Sequence, residues 1–148
     1  MDYFRRTMMA AGALAFLCAW VPAQAQRALV SVYKSPTCGC CGEWLKRMRA
    51  NGFRIEANNI ADVGPIRRAN AVPDSLGSCH TALVGGYAIE GHVPAADIQR
   101  LLREGPAVRG LAVPGMPASA PGMEQRPPQP YTTLAFYEGG RTETFERH

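Results

Sequence analysis

Apolar positions in this chain recur with two periods, close to two in some blocks and close to four in others. Ala28 to Tyr33 (Ala-Leu-Val-Ser-Val-Tyr) is a β-rich run that predicts a buried strand, and Lys34-Ser35-Pro36-Thr37 breaks it. Trp44, Leu45 and Met48 then recur at helical spacing, interleaved with Glu43, Lys46, Arg47 and Arg49, until Asn51-Gly52 supplies a stop. Phe53 to Ile60 opens with the alternation Phe-Arg-Ile-Glu and predicts a second strand, and a short helix is expected from Val63 to Ala69. Thr81 to Val84 predicts a third strand, turned by Gly85-Gly86 into a fourth over Tyr87 to Glu90. Pro94 suits the first turn of an amphipathic helix over Ala95 to Arg103, with Ile98, Leu101 and Leu102 on one face. The predicted order is β-α-β-α-β-β-α.

From Gly105 to Pro130 the composition shifts to Pro, Gly, Met and Ala, which predicts an irregular stretch longer than an ordinary connection, either a functional lid or a linker. A closing hairpin is expected from Thr132 to Tyr137 and Thr142 to Phe145, around Glu138-Gly139-Gly140-Arg141. Trp44, Tyr33 and Phe53 are core residues by pattern, and no internal repeat is visible.

The first residues change the picture of where this domain works. Arg5 and Arg6, the apolar run Met8 to Trp20 and the small residues of Ala23-Gln24-Ala25 form the pattern of a secretory signal over residues 1–25. Cleavage after Ala25 would leave 123 of the 148 residues, enough for one domain over 26–148. The apolar run is shorter than the ~20 residues of a membrane span, so no membrane association is expected after cleavage. The signal points to export. Basic residues are scattered without aromatic interleaving, which gives no footprint for nucleic acid.

Of the five cysteines, Cys18 lies in the signal, and Cys38-Gly39-Cys40-Cys41 and Cys79 remain. Four cysteines in an exported domain ordinarily mean two structural disulfides, as in a stapled module that binds another protein. Three of them here are crowded into four residues, where bridging is sterically unfavourable, so binding or exchange is the expected role. The cluster falls between a strand and a helix, where a helix N-terminus lowers thiol pKa values.

Two chemistries fit. Cys38 and Cys41 have the Cys-x-x-Cys spacing of a thiol-disulfide oxidoreductase, with Cys38 attacking and Cys41 resolving, and the order of elements matches a thioredoxin-like α/β fold, a mixed central sheet flanked by helices. In that fold the loop before the third strand approaches the active site; here it carries Cys79-His80 in place of the usual cis-proline, which weighs against ordinary disulfide exchange. The other chemistry is metal binding. A thiolate pocket from Cys38, Cys40, Cys41 and Cys79 suits Cu(I), which is soft and accepts bridging sulfur and more than one ion, better than a tetrahedral Zn(II) site. His80, His92, Met116 and Met123 extend the ligand supply. His80 reads equally as an ordinary hydrogen-bonded histidine, His92 as a turn residue, and the methionines as gap fillers. His148 reads as an inert terminal residue. No Ser-His-Asp set, phosphate-cradling loop or paired carboxylates support a hydrolase or nucleotide site.

Four blocks in order, Ser35-Pro36-Thr37-Cys38-Gly39-Cys40-Cys41, Ser78-Cys79-His80-Thr81-Ala82, Ile89-Glu90-Gly91-His92-Val93-Pro94, and Gly115-Met116-Pro117 with Pro121-Gly122-Met123-Glu124, resemble the signature of the CopG-type copper-resistance proteins. That resemblance spans Leu29 to Tyr137. It implies a periplasmic copper-binding protein of thioredoxin-like fold, with Cys38, Cys40, Cys41 and Cys79 as sulfur ligands and other copper-handling proteins as partners. Ala118-Ser119-Ala120 departs from the family's more usual glycine-containing stretch between the methionine blocks.

Overall fold

Val30, Val32 and Lys34 turn to the interior of β1 (Leu29–Lys34) while Leu29, Ser31 and Tyr33 face away, the alternation a half-buried strand requires. This arrangement is seen in a computed structural model that describes residues 28–124 and 127–148. The signal expected over residues 1–25 lies outside the described residues.

The chain then forms α1 (Gly39–Ala50), β2 (Arg54–Asn59), α2 (Gly64–Ala69), β3 (His80–Val84), β4 (Tyr87–Gly91), α3 (Ala95–Glu104), β5 (Gly110–Val113), β6 (Thr132–Phe136) and β7 (Thr142–Arg147). One seven-stranded mixed sheet runs in the order β2-β1-β3-β4-β5-β6-β7. β1 is parallel to β2 and antiparallel to β3, and β3 is antiparallel to β4. The expected elements appear within about two residues of their predicted ends. Gly85 and Gly86 both have positive φ, 56° and 86°, which is what a tight hairpin turn between right-twisted strands demands.

Helix α1 buries Cys41, Trp44, Leu45 and Met48, one stripe at i, i+3, i+4 and i+7, against Val30, Val32 and the α3 residues Ile98 and Leu101. Fully burying a side chain of this size contributes about 1.5–3 kcal/mol. The stripe starts at a cysteine, so packing α1 on the sheet also fixes where the thiol loop sits. Trp44 anchors the helix by donating from Nε1 to the Val93 carbonyl (2.9 Å).

Three sequence expectations are corrected. β5 lies inside the stretch expected to be irregular, where it pairs in parallel with β4 and buries all four residues. Gly110 opens it because a Cβ there would collide with the Ala88 carbonyl, so this glycine marks close strand approach rather than a loop. His148 is not inert: Nε2 lies 2.9 Å from Asp97 Oδ2 and the ring stacks on Tyr131, tying the C-terminus to the start of α3. Tyr33 is half-buried, whereas Trp44 and Phe53 are in the core. Among the described residues no helix is long and apolar enough to cross a membrane.

Candidate metal centre

Cys38 is the N-cap of α1 and its side chain makes no capping bond, so Gly39, Cys40 and Cys41 lie on a first turn whose backbone N–H groups and dipole face the sulfurs. The turn before it is closed by Cys38 N–H donating to the Ser35 carbonyl (3.2 Å). From the other side of the sheet's end come Cys79, just ahead of β3, His80, its first residue, and His92, just beyond β4. Antiparallel pairing of β3 with β4 places the last two together, their rings 5.3 Å apart.

The donor atoms converge as two groups. Cys38, Cys40, Cys41 and Cys79 form one and Cys79, His80 and His92 the other, with the ligand atoms in each lying within 4.8 Å of one another. Cys40 Sγ is 3.6 Å from Cys38 Sγ and 4.0 Å from Cys79 Sγ, while Cys79 Sγ is 3.5 Å from His80 Nδ1 and 3.2 Å from His92 Nε2. Cys79 belongs to both groups and is the geometric centre of the site.

Cys38 and Cys41 are joined by a disulfide, and Cys40 and Cys79 are free. This is the pair with Cys-x-x-Cys spacing, and the bond corrects the expectation that crowding makes bridging sterically unfavourable. One helical turn brings the two Cα atoms to 5.5 Å, inside the range a disulfide spans. In this state two of the four expected sulfur ligands are oxidised.

Burial dominates the site's electrostatics. It pushes the Cys79 thiol up to about 11, with a further rise from Cys40. It drives His80 down to about 3, helped by the neighbouring His92 ring and the nearby charges of Arg67 and Lys34. His92 is also lowered by burial, against a rise from its bond to Pro121. Both imidazoles are therefore neutral at physiological pH and offer lone pairs. His80 Nε2 is fully buried with no hydrogen-bond partner among the described residues, a condition that costs about 1–3 kcal/mol in a site with no other use for it. Four sulfurs, two free and two releasable from the disulfide, with His80 Nδ1 and His92 Nε2 facing Cys79, are the donor chemistry of a soft metal ion.

The irregular stretch covers one wall. Pro121 carbonyl accepts from His92 Nδ1 (2.7 Å), Ala120 is buried, and Met123 packs half-buried against the core. Met116 is 44% exposed, in a turn with φ 45°.

Comparison with known proteins agrees with this geometry. Two solved structures titled "Copper resistance protein copG", Form 2 and Form 1, superpose with TM-score 0.77 at 39% and 38% identity, each match covering 82% of this chain and 98% of theirs. The chain belongs to the CopG-type family. A family profile described as "Protein of unknown function, DUF411" matches residues 76–123, the segment that carries Cys79, His80, His92, Met116 and Met123. No curated protein matches the chain.

In this CopG-type chain the structure thus gathers six of the eight expected ligands, Cys38, Cys40, Cys41, Cys79, His80 and His92, as convergent donors. Sequence reasoning passed over Glu90, fully buried on β4 opposite Thr81. Its signal was present as a lone carboxylate in the otherwise uncharged strand Tyr-Ala-Ile-Glu-Gly.

Proposed function

We propose that this chain is a periplasmic copper-binding protein that holds Cu(I), more than one ion per chain, in a cluster of Cys38, Cys40, Cys41 and Cys79 thiolates with His80 and His92 completing the site. The copper is cargo, taken up in copper resistance and homeostasis and exchanged with other periplasmic copper-handling proteins. The observation that carries this reading is the membership of Cys79 in both donor groups, since a sulfur common to two sets of ligands suits bridging between two ions. The titles of the two related structures support copper as the metal. The leader pattern over residues 1–25 supports export, with 26–148 as a single domain.

A thioredoxin-like assignment of the fold is supported by the sheet order β2-β1-β3-β4, the parallel and antiparallel senses of those pairs, and a thiol loop at the start of α1. In this reading the stretch that carries Met116 and Met123 is the lid of the site. Loading requires the Cys38–Cys41 bond to open, which consumes two electrons and two protons from a dithiol reductant. That reductant leaves as a disulfide.

Titration of the reduced chain with Cu(I) under anaerobic conditions tests the reading. More than one copper retained per chain, with all four thiols protected from alkylation, is the expected result. Retention of no copper, or free thiols at saturation, contradicts it.

The Cys38–Cys41 disulfide at a helix N-terminus favours a second reading, a thiol-disulfide oxidoreductase in which, once a dithiol has reduced that bond, Cys38 attacks a substrate disulfide and Cys41 resolves the mixed disulfide. Catalytic reduction of insulin by the metal-free protein would support it.

A further inference from the structure

Glu90 is 0% exposed and satisfies both of its carboxylate oxygens inside the protein. Oε1 accepts from Ser78 N–H (2.6 Å) and from Arg67 Nε (2.9 Å), and Oε2 accepts from Thr81 Oγ1 (2.6 Å). Arg67, on α2, also donates from Nη2 to the Ser78 carbonyl, so both backbone polar groups of Ser78 are held by one ion pair. The two residues grasped by Glu90, Ser78 and Thr81, flank Cys79 and His80. Glu90 itself stands two residues ahead of His92 on β4. One carboxylate thereby links the segments that present three of the six convergent donors.

We propose that Glu90 is the positioning residue of this centre, locking the Ser78–Thr81 segment so that the Cys79 sulfur is delivered to Cys40 and His92. The inference rests on the metal-binding reading for its consequence but not for its geometry. Residues 78–79 are not part of a strand, since β3 begins only at His80, and Gly77 precedes them. Without the carboxylate, Ser78 N–H and Thr81 O–H lose their acceptor and Arg67 is left without its counter-charge. Beyond Glu90, the side-chain contacts to the backbone of Ser78 and Cys79 among the described residues come from Arg67, itself held by this carboxylate, and from Cys41 Sγ at 3.8 Å. Arg67 is the lesser partner, because it sits on the outer side of the carboxylate and is itself partly exposed. Buried groups that orient ligands in this way typically hold about 10–100-fold of metal affinity.

Two measurements on the full chain separate this inference from the function it serves. In the first, Cu(I) affinity of the reduced protein is measured against a chelator, with the thiolate-to-copper ultraviolet band recorded. Wild type is compared with Glu90→Gln, which keeps the shape and one acceptor oxygen, and with Thr81→Val, which removes only one hydrogen bond. The expected result is about tenfold weaker binding and an altered band for both variants at unchanged far-ultraviolet circular dichroism. Wild-type affinity and band in both folded variants would overturn the proposal.

The second needs no metal. In a Cys38→Ser/Cys41→Ser background, diamide takes two electrons and two protons from Cys40 and Cys79, whose sulfurs are 4.0 Å apart, and links them. Adding Thr81→Val or Glu90→Gln should slow that linkage about tenfold, the same factor expected for affinity. An unchanged rate would overturn the positioning role even if wild type binds copper. A slowed rate in a protein that binds none would leave the positioning role standing while removing the copper reading.

Discussion

His92 presents Nε2 to Cys79 Sγ at 3.2 Å while its Nδ1 donates to the Pro121 carbonyl at 2.7 Å. A carbonyl oxygen only accepts, so Nδ1 carries the ring's proton and Nε2 a lone pair. The thiol therefore donates S–H to the imidazole. Both partners are neutral, in keeping with a thiol raised and a histidine lowered by burial. This is the reverse of an activated thiolate-imidazolium pair: Cys79 is masked until something stronger than a proton competes for the sulfur.

Cys79 should therefore be a slow nucleophile at neutral pH. In the oxidised protein its alkylation by iodoacetamide should climb about tenfold per pH unit and level off only near pH 11, well above the ordinary thiol value of 9.0. Mass-spectrometric rates for Cys79 peptides check this. A plateau below pH 9 would show a thiolate where the geometry places a thiol.

Acid should destabilise the metal-free fold through His80. Its folded pKa of about 3 lies below the ordinary 6.5, so between those values the unfolded chain binds the extra proton. The stability involved is full above pH 6.5 and is lost as pH falls towards 3, at up to about 1.4 kcal/mol per unit. Glu90, whose carboxyl is raised by burial, acts in the opposite direction. Denaturant melts of wild type and His80→Gln across that window isolate the histidine, and the two stability curves should converge as pH falls. Parallel curves would contradict a neutral buried imidazole.

Gly122 has φ 88°, and a Cβ there would sit 2.8 Å from the Trp44 backbone nitrogen. Gly122→Ala should cost about 1–3 kcal/mol from the left-handed backbone alone and push the Pro121 carbonyl off His92. Bound copper should then exchange faster with a chelator, with little change in the number of ions held. Unchanged exchange kinetics would show that this stretch does not close the site.

Cys40 separates the two chemistries. It takes no part in the Cys38–Cys41 bond, yet its sulfur lies between Cys38 and Cys79. Cys40→Ser should leave the redox potential of the Cys38–Cys41 pair nearly unchanged and reduce copper stoichiometry. A variant with full copper loading would remove the bridging role of Cys40.

Where the sequence carried a period, it located the elements well. The α1 stripe, the Gly85-Gly86 hairpin and the α3 face depend on local side-chain spacing, and the family blocks named the four cysteines that the fold brings together. β5 was illegible because its four residues are too few for periodicity and its first is a glycine selected by contact with Ala88. Cys38 and Cys41 were legible as a Cys-x-x-Cys pair, but their proximity suggested a strain against bridging that a helical turn removes. Glu90 and His148 act through partners far along the chain, Ser78 and Thr81 for one and Asp97 for the other, which only the sheet's pairing brings within reach.

X-ray absorption at the copper edge of the reduced, loaded chain tests the central claim most directly. The account predicts a Cu(I) edge, a nearest shell dominated by sulfur with a minor nitrogen contribution, and a copper-copper component from bridged ions. A nearest shell of nitrogen and oxygen alone, or a single isolated copper, would contradict it.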